Sequence, residues 1–204
     1  VVEVAAGSYP EQSIPDIAGR SLPGVEFRPA AGASVQLNGV RVSGDAVTLR
    51  AMQTGYVDVD TTSGTADDVT IDGGSGPGMY IGNARNLLVR GGSYGSVVET
   101  PIITIGGGSG ITFDGVDFHD ATAPAGSAAH LECIYAASPQ GFTVRNSIFR
   151  NCAYFDIFFT KLGGPDPKDV LLENNVFERT FTQGGGNAPY AVNVSNWLSK
   201  MENF

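Results

Sequence analysis

A five-residue phrase recurs along this chain and constrains its fold more than any other feature. It runs apolar, variable, apolar, polar or charged, then a small turn former. Clear copies are Val47-Thr48-Leu49-Arg50-Ala51, Val69-Thr70-Ile71-Asp72-Gly73, Leu87-Leu88-Val89-Arg90-Gly91, Ile111-Thr112-Phe113-Asp114-Gly115, Phe142-Thr143-Val144-Arg145-Asn146 and Val170-Leu171-Leu172-Glu173-Asn174. A weaker first copy is Val25-Glu26-Phe27-Arg28-Pro29. Successive copies begin 22, 22, 18, 24, 31 and 28 residues apart. Self-similarity at such a period marks a stacked repeat architecture. Within the phrase, apolar alternation turns one face of a short strand inward. The Gly or Asn that closes it suits a residue with positive φ at a sharp bend.

Two further strands complete each unit. An aromatic stands three residues after the turn former in four copies, at Tyr94, Phe118, Phe149 and Phe177, and is predicted to stack inside the repeat. Ahead of each phrase lies a third strand: Val57-Asp58-Val59, Met79-Tyr80-Ile81, Ile103-Thr104-Ile105, Ile134-Tyr135-Ala136, Ile157-Phe158-Phe159 and Val192-Asn193-Val194. Its central residues, Asp58, Tyr80, Thr104, Tyr135, Phe158 and Asn193, are expected to face outward. Residues 61–68 and 162–167 read as insertions looped out at a corner. Three short strands per unit, with loops of variable length only at certain corners, predict an all-β, single-stranded right-handed parallel β-helix. About seven coils at ~4.8 Å each give a rod roughly 34 Å long. A left-handed β-helix would show a hexapeptide period, and a leucine-rich repeat a Leu ladder; neither is present. A β-sandwich would not explain why one turn chemistry returns once per unit.

Composition agrees. Apolar residues make up 42% of the 204 positions and charged residues 16%, which argues against disorder. With 28 glycines the chain is poorly suited to helices. The length fits a single β-helix domain over residues 1–204. A net charge of −9 with 12 Lys and Arg leaves no basic face for nucleic acid or anionic lipid. No apolar run approaches a membrane span, so membrane insertion is not expected. The chain opens directly on a strand-like Val1-Val2-Glu3-Val4, without Met or a signal peptide. Asn203-Phe204 falls where another phrase would begin, with no obvious cap. The expectation is a trimmed form of a longer secreted or cell-surface protein, cut at the C-terminus, with a cut at the N-terminus as the further option.

These residues resemble the actinobacterial-type right-handed parallel β-helix repeat proteins of the pectate-lyase-like superfamily. The resemblance is carried by Val4-Ala5-Ala6-Gly7-Ser8-Tyr9, by Phe27-Arg28-Pro29-Ala30-Ala31-Gly32-Ala33, and by the stretches His130 to Tyr135 and Val144 to Cys152. It covers nearly the whole chain and is specific for fold. That group includes polysaccharide lyases, glycoside hydrolases, epimerases, phage tailspikes and proteins without known activity, so fold does not settle function. The resemblance implies a ligand groove along the exposed face of the third strand.

On that face Tyr80, Tyr135 and Phe158, with Asp58 and Asn193, are candidate sugar-binding residues. The rival reading is that a loop or a partner subunit covers the rings. His130, Glu132, Arg145, Asp156 and Lys161 are the candidate catalytic cluster. Glu132 and Asp156 would act as an acid and base pair on a glycosidic bond. Alternatively they would hold Ca²⁺ while Lys161 or Arg145 abstracts the proton α to a uronate carboxyl. The bland reading is a solvated edge with one buried, hydrogen-bonded His or Glu. Asp114, Asp117, His119 and Asp120 form an acidic patch that invites a metal. However, Asp114 aligns with the polar position of every other phrase. The Gly-rich stretches 73–78 and 106–110 lack the Lys-Ser/Thr of a P-loop and read as corner turns. Asn193-Val194-Ser195 is a glycosylation sequon, expected to be inert. Cys133 and Cys152 form either one disulfide or two small buried side chains. The function expected is binding of a polysaccharide, with its cleavage, by a lyase or glycoside hydrolase mechanism, as the further option. The alternative is a non-catalytic structural or adhesion solenoid that self-associates through its coil ends or exposed face.

Overall fold

The computed structural model describes residues 1–16, 24–59, 66–124, 127, 131–178 and 190–195. The regular elements among them are β-strands, paired in parallel into one sheet of 10 strands and one of 14. The phrases build the first sheet. Val2–Val4, Val25–Pro29, Val47–Arg50, Thr70–Asp72, Leu88–Arg90, Ser109–Asp114, Gln140–Arg145 and Lys168–Glu173 stack in chain order. The molecule is a parallel β-helix whose phrase face holds the seven recognised copies plus Val2–Val4.

The inward alternation is realised in register. Leu49, Ile71, Val89, Phe113 and Val144 form one column, and none is more than 4% exposed. The residue that closes each phrase turns the chain in the left-handed region. Ala51, Gly73, Gly91, Gly115, Asn146 and Asn174 have φ between 51° and 72°. A second left-handed corner, which the phrase did not reveal, precedes it. There Ala46, Asp68, Asn86, Gly110, Gly141 and Asp169 have φ between 51° and 71°. Asn and Asp tolerate this region through local hydrogen bonds; Asn86 Nδ2 donates to Asp68 Oδ1 at 3.2 Å, tying two corners together.

Two expectations are corrected. Residues 66–67, assigned to an insertion, form a short strand paired with Ala84–Arg85, where Arg85 forks onto Asp67 at 2.9 and 2.7 Å. Residues 60–65 lie outside the described residues, and 162–167 form no strand. The glycine run at 73–78 is also more than a corner, because Ser75–Gly76 is a rung between Gln53 and Ser93. Gly76 occupies the same column as Tyr94. A Cβ there would sit 2.7 Å from the Thr54 carbonyl oxygen, so the backbone approach leaves room only for glycine.

The second strand carries the expected aromatic ladder. Tyr94, Phe118, Phe149 and Phe177 are in register. Phe118 and Phe149 stack at 4.8 Å between centroids, and Phe149 and Phe177 at 5.0 Å. Tyr94, Phe118 and Phe149 are at most 2% exposed. On the third strand Val57, Met79, Ile103, Ile134 and Ile157 point into the same core and are fully buried.

Cys133 and Cys152 are bonded, with Cα atoms 5.4 Å apart. Left-handed Asn151 (φ 53°) makes the corner, and Cys152 stacks on Ala121 at the end of the second strand. The bond thus links the third strand of one coil to the corner of the next. A cross-link closing a 19-residue loop stabilises by about 3 kcal/mol on the chain-entropy account. Reduction, or Cys152→Ala, is therefore expected to lower unfolding stability by about that amount in urea. An unchanged midpoint and slope would contradict the assignment.

Candidate functional site

The third strand positions an outward column whose register follows from the buried alternation on its other side. Arg41, Asp58, Tyr80, Thr104, Tyr135, Phe158 and Asn193 stand one per coil. All six expected outward residues therefore share one face. Tyr80 is 39% exposed, while Thr104, Tyr135, Phe158 and Asn193 are half-buried. Asp58 Oδ2 accepts a hydrogen bond from Arg41 Nε at 3.1 Å, an ion pair one coil in from Ser13, with which Arg41 is in register.

Rings concentrate at the other end. Tyr135 and Phe158 lie 5.7 Å apart. Phe155 stacks on Phe158 at 5.4 Å, and Tyr154 meets Phe155 edge-on at 5.3 Å. The sequence reading missed Tyr154 and Phe155, because strict alternation would turn Phe155 inward. The signal was available in Phe155 and Phe158 being three apart just after a cysteine corner, where alternation breaks. Burial, and then the Glu132 carboxylate, push the Tyr135 phenol above its ordinary value.

The candidate catalytic residues divide. Glu132 and Asp156 are buried, at 1% and 3% exposure. Glu132 pairs in register with Phe155, so Asp156 lies one step further along the neighbouring coil. Lys161 follows the same strand, and its ammonium is 2.8 Å from Asp166. Glu132 and Asp156 thus lie on the third strands of neighbouring coils, and Lys161 directly follows the second of them. Arg145 stands instead on the phrase face, bonded to Asp114 at 2.9 Å. His130 lies outside the described residues.

The position that Arg145 occupies has its own pattern. In register along the phrase sheet run Arg50, Asp72, Arg90, Asp114, Arg145 and Glu173, alternating in sign. Arg90 forks onto Asp72 at 3.1 and 2.8 Å, Arg50 bonds the same carboxylate, and Asn146 joins Arg145 on Asp114. The hydrogen bond from Arg90, and then the charge of Arg50, hold Asp72 below the usual carboxylate range. Asn146 first and Arg145 next do the same for Asp114. From Arg50 onward the polar slot of the phrase is an ionic ladder, while Arg28, in the same slot of the weaker first copy, bonds Glu3 at 2.9 Å.

The acidic patch disperses across two faces, with Asp114 in this ladder and Asp117 bonded to Arg150 at 3.1 Å on the second strand. Among the described residues no three of His, Cys, Asp and Glu converge as a metal would need. The carboxylate set for Ca²⁺ is thus not assembled among the described residues. An open apolar hollow of about 430 Å³ lies among the first coils, between Val2, Val4, Tyr9, Ile14, Val25 and Phe27. Among the described residues no helix is long and apolar enough to cross a membrane.

The family described as "Right handed beta helix region" matches residues 34–200, most of the chain, and the protein belongs to it. No curated protein and no solved structure matches the chain. Family membership agrees with the stacked parallel strands and fixes the hand of the coil.

The ionic ladder makes a pH prediction. Asp72 and Asp114 have lowered folded values, so their stabilisation is complete above the unfolded value of about 3.9 and is lost as pH falls through the lower folded values. Thermal melting followed downward from about pH 6 should fall steeply below about pH 4. The double variant Asp72→Asn with Asp114→Asn should show a shallower fall. Identical acid profiles would show that the ladder contributes nothing.

Proposed function

We propose that the chain binds a polysaccharide along its third-strand face, in a secreted or cell-surface setting. The observation that supports this most is the outward column of Tyr80, Thr104, Tyr135, Phe158 and Asn193, which mixes rings with hydrogen-bonding groups one coil apart. An aromatic ring offers a flat apolar surface that suits the C–H face of a sugar. Thr, Asn and the tyrosine hydroxyls offer donors and acceptors to sugar hydroxyls. The repeat spacing lays these groups out as a track, which fits a polymer better than a compact ligand. The disulfide supports an oxidising compartment, since such bonds persist mainly outside the reducing cytosol.

Cleavage would fall to Glu132 and Asp156 as acid and base, or to Lys161 as a lyase base. Burial of both carboxylates and the Lys161–Asp166 pair favour a binding or adhesion role over catalysis. A non-catalytic adhesion solenoid is therefore the second reading.

A panel of neutral and acidic polysaccharides, with and without Ca²⁺, tests both. Binding is expected for at least one member. Tyr135→Ala and Phe158→Ala should each weaken it about tenfold, which corresponds to about 1.4 kcal/mol and is typical of an aromatic anchor. Reducing ends or unsaturated products in the same samples would add catalysis. Absence of binding across the panel would overturn the polysaccharide reading.

A further inference from the structure

A second constellation lies on another face, where the second strand turns its alternate residues outward. His119 Nδ1 is 2.9 Å from Asp120 Oδ2, and His119 Nε2 is 3.0 Å from Ser93 Oγ. Nδ1–H donating to the carboxylate leaves Nε2 to accept the serine proton. That is the order of contacts by which serine hydrolases generate a nucleophile. We propose that Ser93, His119 and Asp120 form an acyl-transfer site that hydrolyses esters of short carboxylic acids.

The solenoid builds this arrangement from separate coils. Ser93 is in register with Asp117, and Gly95 with His119, so Ser93 reaches the imidazole diagonally. The seat depends on Gly95, because a Cβ there would lie 1.7 Å from the His119 carbonyl oxygen and 3.0 Å from Nδ1. Asp120 is left-handed, at φ 59°, in the same corner column as Ser96 and Asn151. Asn151 Nδ2 donates to its other oxygen at 2.7 Å, fixing the carboxylate that orients the imidazole. Hydrogen bonds from Asn151 and then His119 hold Asp120 below the usual carboxylate range, so it stays ionised beside the ring.

The surroundings suit a small acyl group. Ser93 pairs with Ser75, which glycines flank, and Gly91 and Gly92 precede Ser93. On that side the nucleophile meets a strip of small residues, with Asp117 on the other. The imidazole is 24% exposed at its side chain, enough for solvent to reach it. The charged groups around it are Asp120 and Asp117 on its own strand and Arg150 on the next coil. Arg150 is in register with His119 and bonded to Asp117. Its guanidinium is the cation of this patch, forked onto the Asp117 carboxylate through Nε and Nη2.

The chemistry balances without a cofactor. Ser93 Oγ adds to the ester carbonyl carbon as its proton passes to His119 Nε2. The tetrahedral adduct collapses, and the alcohol leaves with that proton. Water then gives a proton to the same nitrogen, adds to the acyl-Ser93 and releases the carboxylic acid, restoring the serine.

The test uses the folded chain, 4-nitrophenyl acetate as substrate and a fluorophosphonate as covalent probe, with no sugar present. Its result is therefore independent of the polysaccharide reading. The expected result is one phosphonyl adduct, mapped to Ser93, and acetate release above the buffer rate. Ser93→Ala should abolish both. His119→Gln should lower acetate release at least about 100-fold, the usual contribution of a general base. Asp120→Asn should lower release while melting like the wild type. An unlabelled wild type that releases no acetate would overturn the proposal, as would label or turnover that persists in Ser93→Ala.

Discussion

Parallel backbone hydrogen bonding holds successive coils ~4.8 Å apart, and that step decides what each side chain meets. A residue's nearest non-local neighbour is the one in the same slot of the next coil. Inside, this converts recurring aromatics into stacked rings, with Phe118, Phe149 and Phe177 at 4.8 and 5.0 Å centroid spacing. Outside, it makes like charges in one slot repel and alternating charges attract, which the phrase face resolves as Arg50, Asp72, Arg90, Asp114, Arg145 and Glu173. The third-strand face and the Ser93–His119–Asp120 cluster are further products of the same spacing.

The step can be maintained only if each coil closes. Two left-handed corners bracket the phrase strand in coil after coil, one occupied mainly by Gly and Asn, the other by Ala, Asp, Asn and Gly. Non-glycine residues in this region are strained unless the surroundings support them. Here the support comes from the ladder itself, through Asn174 Nδ2 on Asn146 Oδ1 at 2.8 Å and Asn86 on Asp68. The disulfide adds a covalent link at a third corner, beside the gap between the Asp117–Thr122 and Glu132–Ala137 strands.

Much of this was legible in the sequence because a solenoid writes its contacts at a fixed period. The phrase, the aromatic slot and the outward column were each readable as positions, and the register placed them as expected. What escaped depended on departures from the period. Phe155 faces Phe158 because the strand bends after Asn151 and Cys152, and strict alternation cannot show a bend. Arg145 looked like a neighbour of Glu132 in sequence, yet it belongs to the phrase sheet, a different side of the coil. Ser93 and His119 are 26 residues apart, one coil and a diagonal, so no linear motif announces their contact. The alternation of charge was visible letter by letter but had no meaning until the slots were known to touch.

In the proposed function the third-strand face carries the ligand. Aromatic ring resonances tested with an oligosaccharide of the polymer bound in solution report this directly. Shifts at Tyr80, Tyr135 and Phe158, with the interior Phe118 and Phe149 unmoved, are the predicted result. Shifts confined to another face, with those three rings silent, would contradict it.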